Sequence, residues 1–150
     1  MGISIIEVVT AIAIVLLLVL LSTSGALSFG KTSAVRTSAR TLATTLDEAR
    51  ARTLASETAS RYGVHVTVGA SEVTLFRGGS YDPADPANET FLFDPRVAIA
   101  STTLGGTADV VFTRLSGTTT PVAVVVSHTS DASTTQTVTV QGTGLIVVGE

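Results

Sequence analysis

The order of apolar and polar positions divides the chain into three stretches. From Val8 to Gly30 no charged residue occurs, and Ala11-Ile12-Ala13-Ile14-Val15-Leu16-Leu17-Leu18-Val19-Leu20-Leu21 is almost wholly aliphatic. As a helix, the uncharged run would extend about 34 Å at ~1.5 Å per residue, enough to cross a hydrocarbon core of about 30 Å. A second stretch repeats apolar residues at helical spacing: Val35, Ala39, Leu42, Leu46, Ala49 and Leu54, with Arg36, Arg40, Asp47, Glu48, Arg50, Arg52 and Glu57 between them. One buried face and one wet face follow from that period. No proline occurs before Pro83, so a single helix is expected from Ile3 to about Arg61. Asp47 with Arg50 and Glu48 with Arg52 have the spacing of helical ion pairs, the mark of a solvated face.

From Tyr62 onward the period changes to two. Val64–Val68 and Glu72–Phe76 alternate apolar with polar residues, and Gly69-Ala70-Ser71 between them reads as the turn of a hairpin. Further strands are expected over Arg96–Ala100, Asp109–Thr113, Val122–Ser127, Thr137–Gln141 and Leu145–Val148. Val122–Val126 has too few polar breaks for a half-exposed strand and is expected at the centre of the sheet. Thr118–Thr120 and Ser130–Thr135 read as exposed turns. The fold class is therefore α+β: a long N-terminal helix whose second, amphipathic half packs on a small antiparallel sheet, burying both apolar faces. By domain, residues 3–30 form the hydrophobic helix and residues 31–150 the globular head, which includes the amphipathic half.

Composition narrows the function. The apolar fraction is an ordinary 45%, but the aromatic fraction is 5% with no Trp, so the head must build a small core from Val, Ile, Leu and Ala. A net charge of -3, with Arg114 the only basic residue after Arg96, speaks against a nucleic-acid partner, whose phosphates need a basic surface. With no Cys there is no disulfide framework, thiolate metal site or Cys nucleophile. A cleaved secretory signal would open with basic residues, yet none precedes Lys31. A simple signal anchor leaves Glu7 unexplained, because a carboxylate at the border of an apolar span is costly unless it has a task.

The pattern Gly2-Ile3-Ser4-Ile5-Ile6-Glu7-Val8 resembles the processing and assembly motif of type IV prepilins. The resemblance implies cleavage after Gly2 by a prepilin peptidase and N-methylation of Ile3, with residues 1–2 as a short leader or the remnant of a longer one. It also implies that the Glu7 carboxylate pairs with the N-terminal amine of a neighbouring subunit. Opposite charges in a low-dielectric bundle each need the other, so only a correctly staggered partner satisfies both. Many pilins have a proline further along this helix, where it melts on assembly. Here Gly25 and Gly30 stand instead, each weakening helix by about 1 kcal/mol relative to Ala, which leaves local unwinding, a kink or an intact helix open. The run Leu42–Arg50 leading into Val64–Val68, with the closing Val140-Gln141-Gly142-Thr143-Gly144-Leu145-Ile146, is similar to the head of GspH/FimT-type minor pseudopilins.

Nothing else in the sequence concentrates chemistry. His65 and His128 lie in or beside strands without catalytic or metal spacing. The segment Gly78–Glu89 is acidic and contains two Asp-Pro pairs, which favour turns over a calcium loop. Asn88-Glu89-Thr90 has the glycosylation pattern. No cofactor, metal or enzymatic activity is expected. The resemblance implies a structural subunit of a type IV pilus or a related secretion pseudopilus. Such a subunit would be anchored in a bacterial inner membrane with its head outside the cytoplasm, then carried into a periplasmic or extracellular filament. Its partners would be other pilin subunits, prepilin peptidase, the inner-membrane assembly machinery and, before assembly, lipid. Two alternatives stand: a FimT-like minor pilin that binds DNA during uptake, and a monomeric membrane-anchored binding domain.

Overall fold

The computed structural model describes residues 4–149, and of residues 20–28 the backbone only. Gly2 and Ile3 lie outside the described residues. One helix, α1, runs from Ile5 to Leu54, and the chain divides into two units, Met1–Ser33 and Ala34–Glu150.

In the first unit the described side chains of α1 from Ile5 to Val19 are exposed. The helical backbone continues through Gly25 and Gly30. Among the described residues no helix is long and apolar enough to cross a membrane. The sequence places the span partly on Leu20–Ser28, whose side chains lie outside the described residues.

The second unit contains a core. Val35, Ala39, Leu42, Leu46 and Ala49 are buried along one face of α1, as their spacing predicts. The stripe closes on Thr53, which is fully buried, while Leu54 is 40% exposed. The helix also ends there, seven residues before Arg61. Ser56, Thr58 and Ala59 take left-handed backbone (φ 51°, 49° and 53°) around a short 3-10 turn, Glu57–Ala59. Ser and Thr hold helix weakly and compete for its hydrogen bonds. Here the chain must reverse to enter the first strand, and tertiary demand overrides periodicity.

Eight strands follow: β1 (Tyr62–Thr67), β2 (Glu72–Arg77), β3 (Glu89–Leu92), β4 (Val97–Thr102), β5 (Thr107–Val111), β6 (Val122–His128), β7 (Asp131–Val140) and β8 (Ile146–Gly149). They form two four-stranded sheets, ordered β3-β2-β1-β5 and β4-β6-β7-β8, with every pairing antiparallel. The inner faces of both sheets share one apolar cluster with α1, through residues such as Val64, Leu75 and Val110 of one sheet and Ile99, Val124 and Val138 of the other. The sheets meet where the β1–β2 turn bonds to β4: the Gly69 N–H donates to the Ile99 carbonyl, and the Ile99 N–H donates to the Ala70 carbonyl. A register shift between Ile99 and Ser101 follows at once. Bulges of this kind bend a strand and end its pairing.

Strand β6 is an inner strand, and its burial alternates strictly from Val122 to His128. Two segments depart from the sequence reading. Ser130–Thr135 is not a turn, since all but Ser130 belongs to β7. Asp131 pairs with His128 and Thr135 with Ser127 of β6 across a register shift, and period-two patterning is invisible when both faces carry Ser and Thr. Strand β3 was not expected either. It starts at Glu89, inside what reads as an acidic loop, and pairs Glu89–Leu92 with Leu75–Glu72. Near the start of β1, a Cβ on Gly63 would lie 2.8 Å from Phe76 and 2.9 Å from the Val110 carbonyl. Only glycine lets three strands approach this closely.

Candidate functional site

Glu7 lies in the first turn of α1, on a fully wetted stretch of helix. Its N–H donates to the Ser4 carbonyl at 3.0 Å, and the Val8 N–H donates to the same oxygen at 3.3 Å. Thr10 Oγ1 donates back to the Ile6 and Glu7 carbonyls at 2.8 and 3.0 Å, an i−4 bond that satisfies a hydroxyl without help from solvent. Around this one carboxylate stand Ile5 (84% exposed), Ile6 (72%) and Val9 (59%). The exposed side chains occur at consecutive positions on every side of the helix, so no single face marks the partner. The cleavage and methylation positions, Gly2 and Ile3, lie outside the described residues. Gly25 and Gly30 are helical, and nothing stands within 4 Å of a Cβ built on Gly30.

Among the described residues of the head, three polar clusters bear on chemistry. In the first, Arg52 bridges two carboxylates: Glu48 one turn back at 2.5 Å and Glu89 of β3 at 2.5 Å. The hydrogen bond that Arg52 donates to Glu89 does most to hold the guanidinium well above its ordinary pKa; burial opposes it, and the bond to Glu48 adds to the rise. The expected Glu48–Arg52 pair is therefore present, and it also fastens an edge strand to the helix. Asp47 and Arg50 form no ion pair among the described residues. Arg50 instead packs under two left-handed glycines, Gly117 (φ 64°) and Gly144 (φ 80°). A Cβ on Gly144 would lie 2.0 Å from the Gly117 carbonyl, so the β5–β6 and β7–β8 connections close on each other only through glycine.

In the second cluster, Asp109 Oδ1, His65 Nδ1, His65 Nε2 and Thr67 Oγ1 lie in the order of a catalytic relay, at 2.6 Å and 3.2 Å. The sequence gives no warning of this, because strand pairing brings Asp109 beside His65. The relay lacks the rest of a hydrolytic site. The nearby N–H groups of Gly69 and Ala70 already donate to Ile99 and Thr67 carbonyls, leaving neither to stabilise an oxyanion. What the cluster does hold is the segment after β2. Tyr81 stacks on His65 with ring centroids 3.9 Å apart, and its N–H donates to Asp109 Oδ2 at 2.9 Å.

The third cluster is the acidic segment, whose oxygens serve its own backbone. Asp82 Oδ1 accepts from the Ala84 N–H and Asp85 Oδ1 from the Ala87 N–H, the bonding of Asx turns. Asn88 Nδ2 donates to the Asp82 carbonyl at 2.7 Å, and its Oδ1 is buried. The amide of the glycosylation pattern is thus committed to the turn. Among the described residues no three His, Asp, Glu or Cys side chains gather to hold a metal. His128 is buried, with Nδ1 accepting from the Ser130 N–H at 3.2 Å.

The residue that sequence reasoning missed is Thr53. Its Oγ1 donates to the Ala49 carbonyl at 2.8 Å and accepts from the Tyr62 N–H at 2.9 Å, tying the end of α1 to the start of β1. Its spacing in the apolar stripe, 7 residues after Leu46, was the available signal.

Neither a family model nor a curated protein matches the sequence. Solved structures do match. The minor pseudopilin EpsH from the type 2 secretion system of Vibrio cholerae superimposes with a TM-score of 0.58 at 16% identity, over 77% of this chain and 95% of that one. The type IV minor pilin FimU of Pseudomonas aeruginosa strain PAO1 gives a TM-score of 0.62 at 12% identity, over 77% of this chain and 88% of that one. The chain therefore has the head fold of minor pilins and pseudopilins.

Proposed function

We propose that this chain is a structural subunit of a type IV pilus or a related secretion pseudopilus. The observation that carries the reading is the wetted apolar helix of the first unit, with its single carboxylate at Glu7, in a chain with a minor-pilin head fold. Apolar surface gains about 25 cal/mol per Å² on leaving water, so side chains exposed on every side of Ile5–Val19 call for a surrounding apolar phase. Lipid supplies that phase before assembly and the helices of other subunits supply it afterwards. Hydrocarbon cannot neutralise Glu7, whereas the N-terminal amine of an adjacent subunit can, so within the bundle the carboxylate selects one stagger among many greasy ones.

On this reading prepilin peptidase removes Met1-Gly2, N-methylates Ile3 and leaves Glu7 near the new terminus. The subunit resides in the inner membrane with its head outside the cytoplasm until the assembly machinery draws it into a filament. Gly25 and Gly30 are the positions where α1 gives way when subunits are packed. Intact-mass measurement after co-expression with the cognate peptidase tests the processing, with loss of the leader and gain of one methyl group expected. Glu7→Ala should be cleaved yet fail to form filaments. A mutant that polymerises as well as the unaltered chain would sink the assembly role of Glu7.

A further inference from the structure

Among the exposed apolar residues of the head, Leu115 stands out. It is 82% exposed and sits at φ 67° in the left-handed region. Left-handed backbone is unfavourable for a leucine, and the exposed side chain returns nothing to the isolated subunit. The loop that holds it is tightly closed: the Thr113 N–H donates to the Thr118 carbonyl and the Gly117 N–H donates to the Thr113 carbonyl. Leu54 (40% exposed) stands against Gly117, and Leu145 (52% exposed) follows Gly144, which packs on the Gly117 carbonyl. Arg114 is exposed beside this apolar knob and has no ion pair among the described residues.

The other end of the β3-β2-β1-β5 sheet carries the complement. Glu72 and Leu92 are cross-strand partners on one face. Leu92 is 72% exposed, and Glu72 is exposed with no ion pair among the described residues. Register places the two at opposite ends of the sheet. Leu115 lies past the end of β5 that pairs with Gly63, whereas Glu72 lies past the Val73 that pairs with Val66. A strand of this length spans about 20 Å at ~3.3 Å per residue.

We propose that these two ends dock on each other between successive copies of the chain, Leu115 and Arg114 of one head meeting Leu92 and Glu72 of the next. Different patches at opposite ends of one subunit make a heterologous contact, which propagates as an open helical chain wherever its rotation does not close a ring, as the stagger of bundled helices requires. The contact is small, and it works because bundled N-terminal helices keep the heads at high effective concentration. The inference thus rests on the assembly reading above.

The full chain has no cysteine, so the test is disulfide cross-linking of Leu115→Cys/Leu92→Cys after assembly. A ladder of covalent multimers is expected from the double variant, and dimers alone from a mixture of the two single variants. In the cysteine background, Arg114→Glu or Glu72→Arg should each lower the yield about fivefold, and the charge-swapped pair should restore it. Filaments that form without cross-links overturn the docking contact and leave the assembly reading standing. A chain that forms no filaments even when unaltered and processed overturns the assembly reading and the contact with it.

Discussion

Residues 5–19 and residues 34–54 belong to one helix, α1, yet they stand in opposite relation to the rest of the chain. In the first stretch aliphatic side chains occupy all sides and all are wet: Leu16, Leu17 and Leu18 are each about 60% exposed. In the second, Val35, Ala39, Leu42, Leu46 and Ala49 are buried and the charged residues lie between them. Backbone geometry is the same in both. The angular distribution of apolar side chains differs, and it decides what can cover them. A narrow stripe is covered by two sheets of the same subunit, while an all-round apolar surface needs cover from outside.

The strongest way to break that contrast is truncation on either side of it. Leu46→Ala empties a fully buried site beneath both sheets and should destabilise the head by about 2–5 kcal/mol. Leu17→Ala removes the same atoms from a wet surface and should leave head stability within ~0.5 kcal/mol. Denaturant unfolding of both full chains in detergent, followed by circular dichroism, measures the difference. Equal losses would mean that the first stretch contributes to the head core, contrary to the exposure described here.

A smaller effect is expected where the second stretch ends. Thr53→Val keeps the shape but leaves the Tyr62 N–H without its buried acceptor, and should cost about 1–3 kcal/mol. Thr53→Ser retains the oxygen and should recover most of the loss. If Val and Ser behave alike in the same unfolding experiment, the bond to Tyr62 contributes nothing and packing alone holds the corner.

The parts that were legible in the sequence are those with one strong period. The stripe from Val35 to Ala49 follows from helical spacing and the β1–β2 hairpin from its turn, although Val73 to Phe76 are all buried; β6 is the inner strand expected, but it half-buries its second face instead of burying both. Thr53 and Leu54 exchange roles because the helix stops, and its stop depends on the turn into β1 rather than on any glycine or proline. Strand β3 is four residues long and buries none of its side chains fully, and the first half of β7 is mostly Ser and Thr, so neither shows a core-facing period. The division into two sheets arises at Gly69, Ala70 and Ile99, a backbone contact that leaves no trace in side-chain pattern. The His65–Asp109 pair is invisible for a similar reason, being set by the register of β1 on β5. In the candidate site, Glu7 draws notice because its carboxylate is isolated in an apolar sequence, and the role proposed for it comes from resemblance alone.

The smallest effect concerns charge. Arg96 grips Asp94 with both arms, Nε to Oδ1 at 3.0 Å and Nη2 to Oδ2 at 2.8 Å, and its N–H donates to Oδ1 as well. These bonds from Arg96 lower the Asp94 pKa to about 2. A depressed carboxylate contributes stability above its unfolded pKa of about 3.9, and that contribution is lost as pH falls through the folded value. The window is therefore about pH 4 down to about 2. The Arg96 side chain is 61% exposed and that of Asp94 27%, so solvent screening limits the effect to a few tenths of a kcal/mol. Asp94→Asn should lower head stability by about that much at pH 7 and by progressively less below pH 4, with the difference reduced further in 1 M salt. A loss above ~1 kcal/mol that persists in salt would contradict the screening argument. A small loss would confirm that in the head even a well-made ion pair matters little beside the apolar face of α1. The proposed role of Glu7 reverses that balance: a charge matters most where the surroundings are apolar and the partner must come from another molecule.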